Sequence, residues 1–139
     1  MRRILFDTNV VLDVLLDRQP FVEASAAAWA AIETGAARGM LAAHAVTTLD
    51  YLVRKELGAD KGRRVISAIL KIFAVAPVNG TVIQEALELS LPDFEDAVTA
   101  TAARLAGCEF IVTRDPKGFR GSPVRCLTPE AVMPLLNKD

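Results

Sequence analysis

The 139-residue chain carries 16 Lys and Arg against 17 Asp and Glu, and 52% of its residues are hydrophobic. This composition excludes a disordered chain and the strongly basic footprint of a protein that coats nucleic acid. An acidic site with basic surroundings would give the same balanced charge. The length predicts one domain, residues 1–139. Acids interrupt the N-terminal apolar run, and none of the apolar runs reaches the about 20 residues of a membrane span, so we expect a soluble cytoplasmic protein.

Short apolar runs of strand length alternate along the chain with longer segments of helical spacing. The predicted strands are 3–6, 40–43, 74–78, 109–112 and 124–127. A short helix around residues 10–12 follows the first strand, and the longer predicted helices are 20–38, 45–57, 61–73, 81–91, 93–106 and 128–136. This alternation predicts an α/β fold in which helices cover both faces of a mainly parallel sheet. Cys108 and Cys126 fall at no metal-ligand spacing, and we expect them to be reduced thiols.

Two aspartates follow predicted strands at the point where each strand ends. Asp7 ends "ILFD" after the first strand, and Asp115 ends "FIVTRD" after the fourth. Because ligands bind beyond the carboxyl ends of parallel strands, both side chains face one crevice if these strands are neighbours. Asp7 can equally cap the next helix, and Asp115 can cap a turn formed with Pro116 and Gly118.

A second pair of aspartates lies in "LPDFEDAVTATAARLAG". Asp93 stands at the N-cap position of the predicted helix, and Asp96 falls three residues later, where a capping box places its returning partner. Three alanines at helical spacing follow on the same helix face: Ala97, Ala100 and Ala103. These alanines indicate that the helix lies close to the sheet, which would turn the Asp96 carboxylate toward the crevice.

Three further polar residues have simpler explanations. Asp50 lies in the middle of a helix among apolar neighbours, where an exposed position is the default interpretation. Asp13 stands one turn beyond Asn9 and is expected on a solvated helix surface. His44, which is the single histidine, is expected to pack or hydrogen-bond at a strand end and not to bind a metal.

Carboxylates that converge without Cys or His suit hard divalent cations, which prefer oxygen ligands. Two such ions can activate a water and stabilise the leaving oxygen of a phosphoryl displacement. Because clustered like charges repel, the arrangement makes physical sense only with cations bound. The sequence therefore predicts a metal-dependent hydrolase of phosphate esters.

The segments "ILFDTNVVLDVLL" and "LPDFEDAVTATAARLAGCEFIVTRDPKGF", with the helices between them, resemble the PIN-domain family of metal-dependent ribonucleases. The family includes the VapC-like toxins of toxin-antitoxin pairs, and the resemblance covers essentially the whole chain. It implies a three-layer α/β/α fold around a parallel sheet of about five strands. It also implies an RNA substrate, one or two Mg²⁺ or Mn²⁺ ions, a homodimer and a small antitoxin partner.

The resemblance also assigns roles to individual residues. Asp7, Asp96 and Asp115 match the metal-binding acids of the family, and Asp93 is similar to an additional acid that some members carry. Asp50 occupies the helix in which the family usually carries a Glu, so the shorter side chain is a departure. It would either aid the hydrolysis by binding the metal through an intervening water or leave that position, and with it the activity, weakened.

Several polar residues near these acids receive supporting roles. Thr113 matches a hydroxyl position in the family motif, where it would hydrogen-bond a ligand carboxylate or a metal-bound water. Asn9 would orient Asp7. Both residues can also be ordinary turn or cap residues. Three basic residues follow the last acid and would either contact the RNA backbone or form a solvated loop: Arg114, Lys117 and Arg120.

Two other functions compete with this one. An aspartyl-nucleophile phosphatase also places an Asp after its first strand, but it generally has a second acid two residues later, where this chain has Asn9. A catalytically weak PIN-like scaffold that binds RNA or a partner protein is the second alternative, and Asp50 at the Glu position is the feature that favours it.

Overall fold

The computed structural model describes residues 1–137, so the last two residues of the predicted domain lie outside the described part. Five parallel strands form one sheet there, in the order β3-β2-β1-β4-β5. The strands are β1 (Arg3–Phe6), β2 (Arg38–Ala42), β3 (Ala74–Ala76), β4 (Phe110–Val112) and β5 (Arg125–Leu127). A continuous apolar sequence suits β1, because a parallel strand covered on both faces has no solvent side. Accordingly Ile4, Leu5 and Phe6 are fully buried.

Helices cover both faces of the sheet within residues 1–137. They are α1 (Thr8–Leu15), α2 (Val22–Glu33), α3 (Ala43–Leu57), α4 (Ala59–Ile72), α5 (Gly80–Ala86), α6 (Phe94–Leu105) and α7 (Pro129–Leu136). One hydrophobic cluster joins one face of β1 to α1, α2, α4 and α7, and it contains Trp29 packed edge-on against Phe73 at 5.1 Å between ring centroids. The second cluster joins the other face to α5 and the alanines of α6. We find no helix among the described residues that is long and apolar enough to cross a membrane.

The winding of the sheet reverses between β1 and β4. From β1 the chain proceeds outward to β2 and β3, and it then returns to place β4 on the other side of β1. Leu5 aligns with Ile111 and Phe6 with Val112, so the two strands end side by side. The two strands are therefore neighbours, which was the condition for a shared crevice, and the residues that follow β1 and β4 lie at the same edge of the sheet.

Several predicted boundaries need correction. The helix predicted over 20–38 ends at Glu33, because Gly35 adopts a φ of +88° and the chain then enters β2 at Arg38. The predicted helix 81–91 is only Gly80–Ala86. Gly39 within β2 would bring an added Cβ to 2.6 Å from the Phe73 ring and 2.9 Å from Ile32, so the strand requires Gly there.

Candidate metal centre at the ends of strands β1 and β4

Asp7 is fixed at the carboxyl end of β1 by three hydrogen bonds. Its backbone N–H donates to the Val112 carbonyl (2.9 Å), which continues the pairing of β1 with β4. Its Oδ1 accepts from the Thr8 N–H (2.8 Å), as an N-cap of α1 does, and its Oδ2 accepts from Thr113 Oγ1 (2.8 Å). Burial raises the pKa of Asp7, while the Thr113 and Thr8 hydrogen bonds oppose that rise. Asp7 is therefore both a helix cap and an oriented carboxylate at the switch point.

The first turn of α6 brings three more carboxylates to this edge. Asp93 is the N-cap, and its Oδ1 accepts from the Asp96 N–H (3.1 Å). The pKa of Asp96 is raised to about 6, first by burial and then by the nearby charges of Asp93, Asp7, Glu95 and Asp115, in that order. These charge effects indicate that the acids of β1, α6 and the loop after β4 lie near one another at this edge of the sheet.

Asp115 follows β4 and borders a small space beside Gly118. A Cβ added to Gly118 would lie 3.2 Å from Asp115 Oδ2 and 3.6 Å from Asp96 Oδ2. Carboxylate oxygens from two separate elements thus face the same small space. The backbone N–H of Asp115 donates to Thr113 Oγ1 (3.2 Å), so one hydroxyl contacts both Asp115 and Asp7.

The two polar residues predicted to support the acids behave differently. Thr113 is fully buried and hydrogen-bonds the carboxylate of Asp7, as one of its two predicted roles requires. The hydrogen-bond partner of Asn9 is not Asp7. Its Oδ1 accepts from the backbone N–H of Arg114 (3.4 Å), so Asn9 contacts the turn that leads to Asp115.

The structure does not bring Asp50 to the acidic cluster. Its Oδ2 lies 3.7 Å from Arg54 Nη1, and it lines surface clefts between α3 and α4. Among the described residues, the acids that raise the pKa of Asp96 do not include Asp50. Asp13, expected on a solvated surface, is instead fully buried and forms an ion pair with Arg114 (3.0 Å between Oδ2 and Nε), so that expectation was wrong.

The basic residues after β4 separate into two groups. Lys117 and Arg120 are exposed and line a cleft of about 520 Å³ with Ser90, Pro92 and Gly121. The Arg114 side chain is held by Asp13 and lies over the Phe21 ring, 4.1 Å from guanidinium Cζ to the ring centroid. Of these three basic residues, Lys117 and Arg120 line that cleft and Arg114 does not.

Two residues near the cluster were not recognised from the sequence. The charge of Glu95 raises the pKa of both Asp7 and Asp96. Its position beside Asp96 in "FED" is the sequence feature that could have identified it. His44 follows β2 at the same sheet edge, and its Nε2 lies 3.2 Å from Thr99 Oγ1. This contact confirms the hydrogen-bonding role expected for His44, but its closeness to Asp7 and Glu95 was not foreseen.

A profile of the PIN domain family matches residues 3–117, which is most of the chain. The chain belongs to the PIN-domain family. This match confirms the predicted family, and the matched segment contains Asp7, Asp96 and Asp115. A comparison with curated proteins finds no match.

Several solved structures, one of them a toxin-antitoxin complex, are similar to this PIN domain. FitAcB from Neisseria gonorrhoeae matches with 23% identity and a TM-score of 0.71, covering 91% of this chain and 98% of that one. A toxin-antitoxin complex from Klebsiella pneumoniae matches with 22% identity and a TM-score of 0.68, covering 91% and 97%. VapBC2 from Rickettsia felis, bound to a DNA fragment from its promoter, has 13% identity, a TM-score of 0.70, and 91% and 98% coverage. At these identities the likeness shows the fold, and it confirms the three-layer α/β/α prediction.

PIN nucleases usually use divalent metals, and the donor chemistry here fits such an ion. The acids of this PIN domain offer oxygen ligands only. Burial is the main cause of the raised pKa of Asp96, and repulsion from the neighbouring acids adds to it; a cation would relieve that repulsion. Within residues 1–137, however, no group of three or more His, Cys, Asp or Glu side chains stands close enough to hold an ion as arranged. Binding of an ion by three of these side chains at once would therefore require the carboxylates to turn closer together.

Proposed function

We propose that this PIN domain is a ribonuclease that hydrolyses RNA phosphodiester bonds with one or two Mg²⁺ or Mn²⁺ ions. Asp7, Asp96 and Asp115 would hold the metal, with Asp93 beside them. The observation that supports the proposal best is that Asp96 and Asp115 border one small space at the switch point while Asp7 raises the pKa of Asp96. A bound divalent cation would polarise the phosphate and lower the pKa of the attacking water.

The chain itself supplies positioning around that centre. Thr113 donates to Asp7 and keeps one carboxylate oxygen directed toward β4. Asp93 caps the first turn of α6 and so fixes the backbone that carries Asp96. Lys117 and Arg120, in the neighbouring cleft, would pair with backbone phosphates of the RNA.

The partners in this proposal follow from the likeness to the toxin-antitoxin complex of Klebsiella pneumoniae. We propose that the protein is the toxin of such a pair, works in the cytoplasm as a homodimer and binds a small antitoxin protein. Light scattering on the purified chain tests the homodimer directly, since the monomer mass is 15.0 kDa.

A catalytically weak scaffold that binds RNA or a partner protein is the second candidate. One observation about α3 favours it. Its Asp50 side chain lies beside Arg54, and the α3 residue near Asp7 and Glu95 is His44, which is not a carboxylate. With fewer acidic ligands, metal binding and cleavage would both weaken.

Cleavage of end-labelled single-stranded RNAs and a structured RNA pool, with Mg²⁺, Mn²⁺ or EDTA, tests the proposal. Asp7→Asn and Asp96→Asn should each abolish metal-dependent cutting. Asp50→Asn is the matched control, because it removes the same charge from a position outside the cluster, and it should cut as wild type does. If folded wild type binds Mn²⁺ but cuts nothing, the scaffold function is favoured. Cutting that survives both site substitutions would refute the assignment.

A further inference from the structure

Asp13 is a fully buried acid in α1 that takes part in no step of the proposed hydrolysis. Its Oδ2 lies 3.0 Å from Arg114 Nε and accepts a hydrogen bond from Ser25 Oγ (3.2 Å). The Nε–H bond of Arg114 does not point at that oxygen, so the contact is an ion pair and not a hydrogen bond. A buried carboxylate is costly unless it is paired, and Arg114 supplies the paired charge.

Arg114 is anchored at both its side chain and its backbone. The guanidinium lies over the Phe21 ring at 4.1 Å, which holds it between an aromatic face and Asp13. Its backbone N–H donates to Asn9 Oδ1, one turn before Asp13 in α1. Three residues from α1 and the segment before α2 thus hold a single residue of the loop after β4.

Arg114 lies between Thr113, which hydrogen-bonds Asp7, and Asp115, which is one of the proposed metal-binding acids. The Thr113 side chain contacts Asp7, and its oxygen accepts from the Asp115 N–H. The turn formed by residues 113–115 is thus held at Thr113 by Asp7 and at Arg114 by Asn9 and Asp13. Because Arg114 connects the other two residues, its contacts help to set the conformation of this turn. The exposed Asp115 carboxylate has no such anchor of its own, since the turn after it begins without a side-chain cap.

We infer that the buried Asp13–Arg114 ion pair is a positioning device that fixes the Thr113–Asp115 turn and presents Asp115 to Asp7 and Asp96. Its value for metal binding rests on the proposed function, in which Asp115 is a ligand. Arg114 is then a positioning residue, and not the RNA-contacting residue that the sequence indicated.

The two roles for Arg114 predict opposite effects of Asp13→Asn. If Arg114 binds RNA phosphates, weakening its pairing to Asp13 frees the guanidinium and leaves RNA binding unchanged or stronger. If the pair positions Asp115, Asp13→Asn loosens the turn and acts like Arg114→Met. A shared effect of substitutions on both partners is therefore specific to the positioning role.

The test compares wild type with Asp13→Asn, Arg114→Met and Arg114→Lys by NMR amide exchange and by Mn²⁺ titration. Arg125→Met is the matched control, because Arg125 also lies over an aromatic ring, Phe110 at 5.9 Å, but on an exposed strand position. We expect faster exchange of the Asp115 amide and Mn²⁺ affinity about tenfold weaker in Asp13→Asn and Arg114→Met. Arg114→Lys should lose less, and Arg125→Met should match wild type.

The outcomes separate this inference from the proposed function. An Asp115 amide that exchanges within about twofold of wild type in Arg114→Met overturns the inference, whatever the RNA cleavage shows. If wild type neither binds Mn²⁺ nor cuts RNA while the amide exchange still accelerates, the proposed function fails and the positioning of the turn stands. Should Asp13→Asn fail to fold, the two Arg114 variants and the Arg125→Met control still decide the matter.

Discussion

The hydroxyl of Thr113 donates a 2.8 Å hydrogen bond to Asp7 Oδ2 and thereby joins the end of β4 to the end of β1. This bond compensates a carboxylate whose pKa is raised by burial. Thr113→Val keeps the shape of the side chain and removes the donor, so it should lower the free energy of unfolding by about 1–3 kcal/mol. Urea unfolding measures the loss. Thr113→Ser, which keeps the hydroxyl, should recover most of it, and equal stability of the Val variant would contradict the assignment.

The carboxylate of Asp96 should make stability depend on pH in metal-free buffer. Its pKa of about 6 in the folded protein lies above the ordinary value of 3.8, so the folded state holds this proton more tightly. The stabilisation is complete below the unfolded pKa and is lost as the pH rises through about 6. In EDTA, Asp96→Asn should therefore match wild type near pH 4 and melt several degrees higher near pH 7. Thermal melts across this range measure the difference.

Asp50→Asn is the control for that experiment, because its ion pair with Arg54 is partly exposed and lies outside the cluster. It should show no rise in stability relative to wild type between pH 4 and 7. A constant difference between Asp96→Asn and wild type at all pH values would contradict the raised pKa of Asp96.

The space beside Gly118 should be needed for metal binding. An added Cβ would lie 3.2 Å from Asp115 Oδ2 and 3.6 Å from Asp96 Oδ2, and Gly118 has no positive φ that would strain the substituted backbone. Gly118→Ala should thus keep the fold and weaken Mn²⁺ binding by about tenfold or more. Calorimetric titration with Mn²⁺ checks this. Gly80→Ala, at the start of α5 with open space around it, should bind as wild type does.

His44 should remain neutral at physiological pH. Burial lowers its pKa, with the charges of Glu95 and Asp7 acting in the opposite direction. The hydroxyl of Thr99 lies 3.2 Å from His44 Nε2 and 3.0 Å from the Glu95 carbonyl oxygen. Because the folded pKa is depressed, stability from this residue falls as the pH drops below 6.5. NMR titration of this single histidine should give a midpoint below 6.5, and a higher midpoint would disprove the assignment.

Lys117 and Arg120 should contribute to RNA affinity through charge. Each phosphate contact on a single strand adds about 0.7 to the slope of log affinity against log salt. Replacing both residues with Ala should therefore flatten the slope by about 1.4. Filter binding with an uncleaved RNA at several salt concentrations measures this. The control removes two exposed charges of α4, Arg63 and Arg64, which do not line the cleft. An equal slope change in that control would indicate a general charge effect.

The parallel sheet, and the position of Asp7 and Asp115 at one edge of it, could be predicted from the sequence, because buried strands leave continuous apolar runs and strand ends are marked by polar residues. The same logic placed Asp96, since the alanines after it indicate the face of α6 that packs on the sheet. The ends of the helices were harder to predict from the sequence. The overrun of α2 past Glu33 arose because Ala and Gly in 35–39 suit a helix, a turn or a close-packed strand equally well.

The side-chain partners of Asp13, Asp50 and Arg114 could not be predicted. Asp13 is buried because Arg114, about 100 residues later in the chain, comes to lie beside it, and local patterns carry no record of such a pairing. The direction of the Asp50 side chain depends on the rotation of α3 about its own axis relative to α4. A shift of one residue along the helix would turn the side chain to another face. Features that depend on one helix or strand could therefore be predicted from the sequence, whereas side-chain contacts between distant elements could not.

Trp29 lies in α2 on the face of the sheet opposite α6, where its ring packs against Phe73. It is the only tryptophan in the chain, so indole fluorescence reports the packing of that layer alone. Circular dichroism, by contrast, averages over the helices of both layers. If the two signals change together during unfolding, the layers melt as one cooperative unit. If the dichroism changes first, the alanine-rich layer that carries Asp96 has opened while the tryptophan layer is still folded.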